Sequence, residues 1–128
     1  MRVLDIAQFL AVAEAVLGID SERLRIVTKI GLAESALAAP FASFDGHDFY
    51  EHPVQRAAIL ASRIMRNHPL PDGNKRVALI LVDPYLLDNG YRLTAAASDI
   101  DRTFRAVAAR AMTEDCFAVW LQSRIEAA

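Results

Sequence analysis

Apolar residues recur at helical spacing through most of this 128-residue chain, and most of its five Gly and five Pro residues fall between the periodic stretches. That pattern calls for several short helices packed on one another. Ile6, Phe9, Leu10, Ala13, Val16 and Leu17 mark a first helix from Asp5 to Leu17, with Gly18 as its C-cap. A second starts after Asp20 or Ser21, carries Leu24, Val27, Ile30 or Gly31, Ala33 or Glu34, and Leu37, and is stopped by Pro40. Between Phe41 and His52 the pattern changes: two aromatic-rich stretches flank Asp45-Gly46, a dipeptide suited to a tight hairpin turn, so a short β-hairpin or flap is expected.

Pro53 suits the first turn of a third helix, whose apolar face of Ala57, Leu60, Ala61, Ile64 and Met65 runs up to Asn67. The next stretch, His68 to Gly73, contains two prolines and cannot be helical throughout. It feeds a buried helix over Asn74 to Leu87, in which Pro84 predicts a kink or a broken final turn before Asn89-Gly90. Ser98 and Asp101 resemble a capping box opening a further helix through Ile100, Phe104, Val107 and Ala108. Thr113, Glu114 and Asp115 start the last helix, with Phe117, Trp120, Leu121 and Ile125 as its core face. The expectation is an all-α bundle of about six helices with one short β-hairpin flap, forming one domain over residues 1–128.

Hydrophobic residues make up 54% of the chain and charged residues 23%, which excludes disordered, collagen-like and low-complexity classes. No segment repeats at a fixed period, which excludes a solenoid. With 14 Lys+Arg against 16 Asp+Glu the net charge is -2, so direct nucleic-acid binding is not expected. The single Cys116 allows neither an internal disulfide nor a thiolate zinc site, and suits a reducing compartment. Gln8, Glu14 and Asp20 interrupt the first apolar stretch, which therefore reads neither as a signal peptide nor as a membrane span. A soluble, cytoplasmic protein without membrane partners is the expectation.

Chemistry-bearing residues concentrate in one place. His68, Asp72, Gly73, Asn74, Lys75 and Arg76 lie within nine residues, where a Pro-containing loop meets a helix N-terminus. Exposed amides, a Gly that lets backbone approach closely, and two adjacent cations together suit a polyphosphate. Cations in the first turn of a helix oppose its dipole by about 0.3–1 kcal/mol each, which favours a bound anion as the reason for them. Asp72 beside phosphate calls for a bridging Mg2+, and His68 is placed to take a proton from an incoming hydroxyl.

His68-Pro-Leu-Pro-Asp72-Gly73-Asn74-Lys75-Arg76 resembles the Fic/Doc family motif, His-x-Phe-x-(Asp/Glu)-(Gly/Ala)-Asn-(Gly/Lys)-Arg, and its Lys75 form is similar to the death-on-curing (Doc) branch. Glu34–Leu37, the Phe44–Gly46 flap and Asn89–Leu93 resemble Doc-type chains in order and spacing, so the likeness covers roughly residues 30 to 125. The resemblance implies an all-α Fic/Doc-like bundle whose central helix hairpin presents the loop. It further implies transfer of part of a nucleoside triphosphate such as ATP to a protein hydroxyl. By that likeness His68 is the general base and Asp72 the magnesium ligand. Gly73 and Asn74 contact phosphates, and Lys75 and Arg76 neutralise charge on the transferring group.

The Fic branch has Gly at position 75 and a second Arg where this chain has Leu79; both differences disfavour AMP transfer. The Doc branch implies phosphoryl transfer onto a Ser or Thr of a translation elongation factor. It also implies inhibition of translation and neutralisation in trans by a small Phd-like antitoxin. AMP transfer through the same loop and a catalytically idle binding module are the alternatives. Leu70 stands where the family usually has Phe, from which looser packing of the loop is expected.

Other conspicuous residues read more plainly. His47 and His52 have no partner at metal-ligand spacing and suit turn and cap positions. Phe41, Phe44, Phe49 and Tyr50 read as a small aromatic cluster, with target alignment along a flap edge as the alternative. Cys116 is expected to be buried, and Phe117 and Trp120 to join the core.

Overall fold

Asp5 starts the fold with a capping box. Its carboxylate accepts from the Gln8 N–H at 2.8 Å, while Gln8 Oε1 accepts from the Asp5 N–H at 2.9 Å. Helix α1 (Ile6–Leu17) follows and ends on Gly18 in the left-handed region, at φ 68°. The computed structural model describes residues 5–128, so Met1 to Leu4, which belong to the expected domain over residues 1–128, lie outside the described residues.

The expected second helix is two helices, α2 (Ser21–Val27) and α3 (Ile30–Ala38). Thr28 between them is extended, at φ -81° and ψ 135°. The N–H of Lys29 turns away from the helix to donate to the Pro69 carbonyl at 2.8 Å. A tertiary hydrogen bond thus replaces the helical one, at a β-branched run (Ile26-Val27-Thr28) of modest helix propensity. The break also explains why Val27, expected in the core, is partly exposed.

After a short 3-10 helix (Ala39–Phe41), β1 (Ser43–Phe44) pairs antiparallel with β2 (His47–Asp48) through Asp45-Gly46, both at positive φ. This is the expected hairpin, with the φ values of a type I′ turn. Arg56 ties it down: Nε donates to the Tyr50 carbonyl at 2.8 Å, the guanidinium pairs with Asp48 at 3.0 Å, and its carbon lies 5.4 Å from the Phe41 ring centroid. The expected aromatic cluster does not form. Phe41 packs edge-on against Tyr85, but Phe44 and Phe49 are 74% and 60% exposed because two-residue strands leave nothing above them to bury against.

Helix α4 (Pro53–Asn67) is the centre of the molecule and spans the residues its sequence pattern indicates. His52 caps it, Nδ1 accepting from the Val54 N–H at 3.1 Å. Its packing partner is α5 (Asn74–Asp88), and fully buried Ala57, Ala58 and Ala61 on α4 with Ala78 on α5 let helix backbones come close. The helical hydrogen-bond pattern continues through Pro84 to Asp88, so the final turn is not broken. Pro84 and Ile80 both face outward, and the Ile80 carbonyl that loses its donor can take one from water.

Strand β3 (Tyr91–Leu93) leads to α6 (Ala97–Ala108) and α7 (Glu114–Gln122), and β4 (Ile125–Ala127) returns antiparallel to β3. The second two-stranded sheet was not expected, and Ile125 belongs to it rather than to the last helix, which ends at Gln122. The start of α6 is also a correction. Ala96 is the uncapped N-cap, Ser98 lies inside the helix, and Asp101 is engaged elsewhere. Thr113 does cap α7, accepting from the Cys116 N–H at 3.1 Å; Cys116 itself is exposed, not buried.

Seven α-helices among the described residues therefore share one core, built on Phe9, Leu24, Leu60, Ile64, Val77, Leu86, Phe104, Phe117 and Leu121. Trp120 stacks on Phe117 with ring centroids 6.2 Å apart. Glu114 joins α7 to α4. It accepts from Ser62 Oγ at 2.6 Å and from Arg63 Nε at 2.9 Å, with Arg66 at 3.9 Å. No helix among the described residues is long and apolar enough to cross a membrane.

Candidate active site at the loop between α4 and α5

The loop joining α4 to α5 is fixed from three sides. His68 is the C-cap of α4 in the left-handed region, at φ 52° and ψ 54°, its N–H donating to the Ile64 carbonyl at 3.2 Å. Few non-glycine residues adopt that conformation, and it exposes the imidazole at the end of a rigid helix. Pro69 is held by Lys29 as described, and Asn67 Nδ2 donates to the Leu32 carbonyl at 3.0 Å, so the break between α2 and α3 serves as a socket for the loop.

Leu70 is 1% exposed, and its backbone is bonded at both polar atoms by the Asn74 side chain. The looser packing expected from Leu in place of Phe is therefore not found. Asn74, expected beside phosphate, is only 5% exposed and turns its carboxamide inward to Leu70, which makes it the loop's internal brace.

Gly73 is required by its backbone conformation, and the movable tip of Leu17 lies close beneath it. Its φ is 79°, and a Cβ built there would lie 2.6 Å from Leu17 Cδ2, because the end of α1 packs beneath the turn. The Gly73 carbonyl accepts the first helical bond of α5, from the Val77 N–H at 2.9 Å. The three preceding N–H groups, of Asn74, Lys75 and Arg76, begin the helix with no helical acceptor.

His68, Asp72, Gly73, Asn74, Lys75 and Arg76 line one cleft of about 780 Å³, together with Met65 from α4, Arg105 and Ala108 from α6, and Ala109 at its C-cap. All six residues singled out in the sequence are thus brought together. Asp72 and Arg76 are exposed, and neither side chain makes a hydrogen bond or ion pair among the described residues. Lys75 reaches to α6: its ammonium pairs with Asp101 Oδ1, while Arg105 Nε donates to Asp101 Oδ2 at 2.8 Å. Hydrogen bonds from Lys75 and then Arg105 hold the Asp101 carboxyl below its ordinary value of 3.8, so it is ionised at neutral pH.

Asp101 and Arg105 were not legible as site residues. The Asp101/Arg105 spacing of i,i+4 marks a helix-face ion pair, but nothing local says that α6 folds over a loop 26 residues upstream.

The family model of the Fic/DOC family matches residues 3–86, from α1 to the last turns of α5. The chain belongs to the Fic/DOC family. The match includes the whole His68–Arg76 loop, begins further upstream than the motif likeness did, and ends before β3. A curated relative, Toxin Doc of Mycolicibacterium smegmatis, is 42% identical over 76 residues, which is 59% of this chain and 58% of that protein. The chain thus matches less than two thirds of its relative's length. Family membership accounts for the all-α bundle and for a central α4/α5 hairpin that presents the loop.

Proposed function

We propose that this Fic/DOC chain is a Doc-type toxin of a toxin–antitoxin pair, which transfers the terminal phosphoryl group of a nucleoside triphosphate to a Ser or Thr hydroxyl of a target protein. The observation that carries the reading is the single cleft in which an exposed imidazole, an unpaired carboxylate and an open helix N-terminus bearing two cations face one another. The similarity to a protein named Toxin Doc supports the toxin role and, with it, an antitoxin partner acting in trans. A translation elongation factor in the cytoplasm is the target class we propose, with translation inhibited as the outcome.

In this reading the N–H groups opening α5, with Lys75 and Arg76, bind and orient the phosphates. His68 accepts the proton of the incoming hydroxyl as its oxygen bonds to the γ-phosphorus, and the bond from that phosphorus to the β–γ bridging oxygen breaks, releasing the nucleoside diphosphate. Asp72 is the residue that would hold Mg2+. Among the described residues no group of three or more His, Cys, Asp or Glu forms a cage, and one free carboxylate suits a mostly hydrated ion that arrives with the nucleotide. When bound, the ion neutralises charge on the phosphate oxygens. The exposed flap edge with Phe44 and Phe49 offers a surface along which a target segment can align.

Phosphoryl rather than AMP transfer is favoured by Lys75, which stands where the Fic branch has Gly, and by Leu79, which leaves α5 without a second guanidinium three residues after Arg76. The test is incubation with ATP labelled at the γ or the α phosphate and an extract of bacterial translation factors. Label from the γ position in a protein is expected; label from the α position alone replaces the kinase reading with nucleotidyl transfer, and no label favours an idle binding module. Asp72→Asn is expected to raise the magnesium concentration for half-maximal transfer, measured by titration.

A further inference from the structure

Helix α6 forms the wall of the cleft opposite the loop, and Arg105 is the charged side chain it contributes there. One turn earlier on the same helix, Asp101 receives Arg105 on one carboxylate oxygen and Lys75 of α5 on the other. Asp101 does not itself line the cleft but the adjoining pocket beside Leu79 and Phe104, and from there a single carboxylate fixes two of the cleft's cations, one from each helix. All three side chains are partly or largely exposed, at 30%, 47% and 69% for Lys75, Asp101 and Arg105, and pairs this wet contribute little to stability. Their effect is on position. Asp101 engages Arg105 through Nε, leaving the terminal amino groups, which no described residue engages, free to donate to other acceptors. Among the residues lining the cleft, Lys75, Arg76 and Arg105 stand against Asp72, three positive charges to one negative.

We propose that Arg105 is a second phosphate-binding guanidinium of this site, and that Asp101 is the positioning residue that presents both Arg105 and Lys75 to the polyphosphate of a nucleoside triphosphate. The proposal rests on the reading of the cleft as a triphosphate site. A planar guanidinium can meet two phosphate oxygens at once, which an ammonium cannot. Holding it in one rotamer before the ligand arrives reduces the entropy lost on binding. Leu79 leaves α5 with Arg76 as its exposed guanidinium, and α6 supplies the other from across the opening.

The test measures binding of ATP with magnesium, and of inorganic tripolyphosphate, to the full chain by calorimetry, with melting temperatures as a check on folding. Arg105→Ala should weaken both ligands about tenfold, as expected for a lost charge-assisted hydrogen bond in a partly screened site. Arg105→Lys should recover part of that loss. Asp101→Asn should weaken binding by a smaller factor, roughly threefold, and in turnover Arg105→Ala should raise KM more than it lowers kcat. Wild-type affinity in Arg105→Ala alongside lost affinity in Arg76→Ala would overturn the proposal and leave the cleft reading standing. Tighter binding by Asp101→Asn would show that Asp101 competes with phosphate, overturning its positioning role. A wild-type chain that binds neither ligand would overturn both the proposal and the reading beneath it.

Discussion

Asn74 and Leu70 are joined twice: the Leu70 N–H donates to Asn74 Oδ1 at 3.0 Å, and Asn74 Nδ2 donates to the Leu70 carbonyl at 3.0 Å. A buried side-chain amide here completes a turn that Pro69 and Pro71 prevent the backbone from closing alone. Asn74→Ala leaves both Leu70 groups buried without partners, at about 1–3 kcal/mol each. We expect a fall in stability of about 2–4 kcal/mol, read from denaturant midpoints, and an activity loss as large as that of a change in the imidazole itself. A midpoint within 0.5 kcal/mol, roughly the size of a neutral surface substitution, would deny the brace its role.

The left-handed backbone of His68 separates conformation from chemistry. Both His68→Ala and His68→Gly remove the base and should lower transfer by roughly a hundredfold to ten-thousandfold. Glycine accepts φ 52° without the clash that a Cβ brings, so the Gly variant should melt above the Ala variant by about 1 kcal/mol of stability. Activity retained in either variant would remove His68 from the reaction.

Glu114 predicts an acid limb. Burial raises its carboxyl pKa, but hydrogen bonds from Arg63 and Ser62 and the charges of Arg63 and Arg66 outweigh burial and hold it below its ordinary value of 4.5. A group with a depressed folded pKa contributes stability above its unfolded value and loses it as pH falls through the folded one. Glu114→Gln should therefore cost about 1–3 kcal/mol at pH 7, and its deficit against wild type should shrink below pH 4.5. Unfolding curves at several pH values check this; a deficit constant down to pH 3 would contradict it.

Thr28 offers a gain. Its hydroxyl is buried with no hydrogen-bond partner among the described residues, and valine keeps the branched shape while replacing the hydroxyl by methyl. Thr28→Val should raise stability by about 1 kcal/mol with transfer unchanged. A loss of stability on thermal or chemical unfolding would mean that the hydroxyl is satisfied in solution.

The helices with one clear apolar stripe were legible from sequence, and α4 matches at both ends because Pro53 and the His68-Pro69 pair mark them chemically. Local pattern failed where a distant partner decided the outcome. The Lys29 N–H leaves its helix for Pro69, Ile125 leaves the α7 stripe for Leu93, and Asp101 faces Lys75 rather than its own N-terminus. The site was legible because its loop residues are contiguous in sequence. Its opposite wall was not, since the contribution of Arg105 follows from how α6 packs.

That opposite wall comes from a later stretch of the chain than the loop it faces. His68 to Arg76 lie inside the stretch matched by the family, whereas α6 begins at Ala97, past the match's end at residue 86. Substitutions along Asp101, Arg105 and Ala108 can reshape what enters the cleft while every atom of the base, the brace and the helix start stays in place. The residues proposed for the chemistry and those of the opposite wall thus lie on separate segments, and exchanging the α6 segment alone would change the surface that faces the loop while the loop itself is kept.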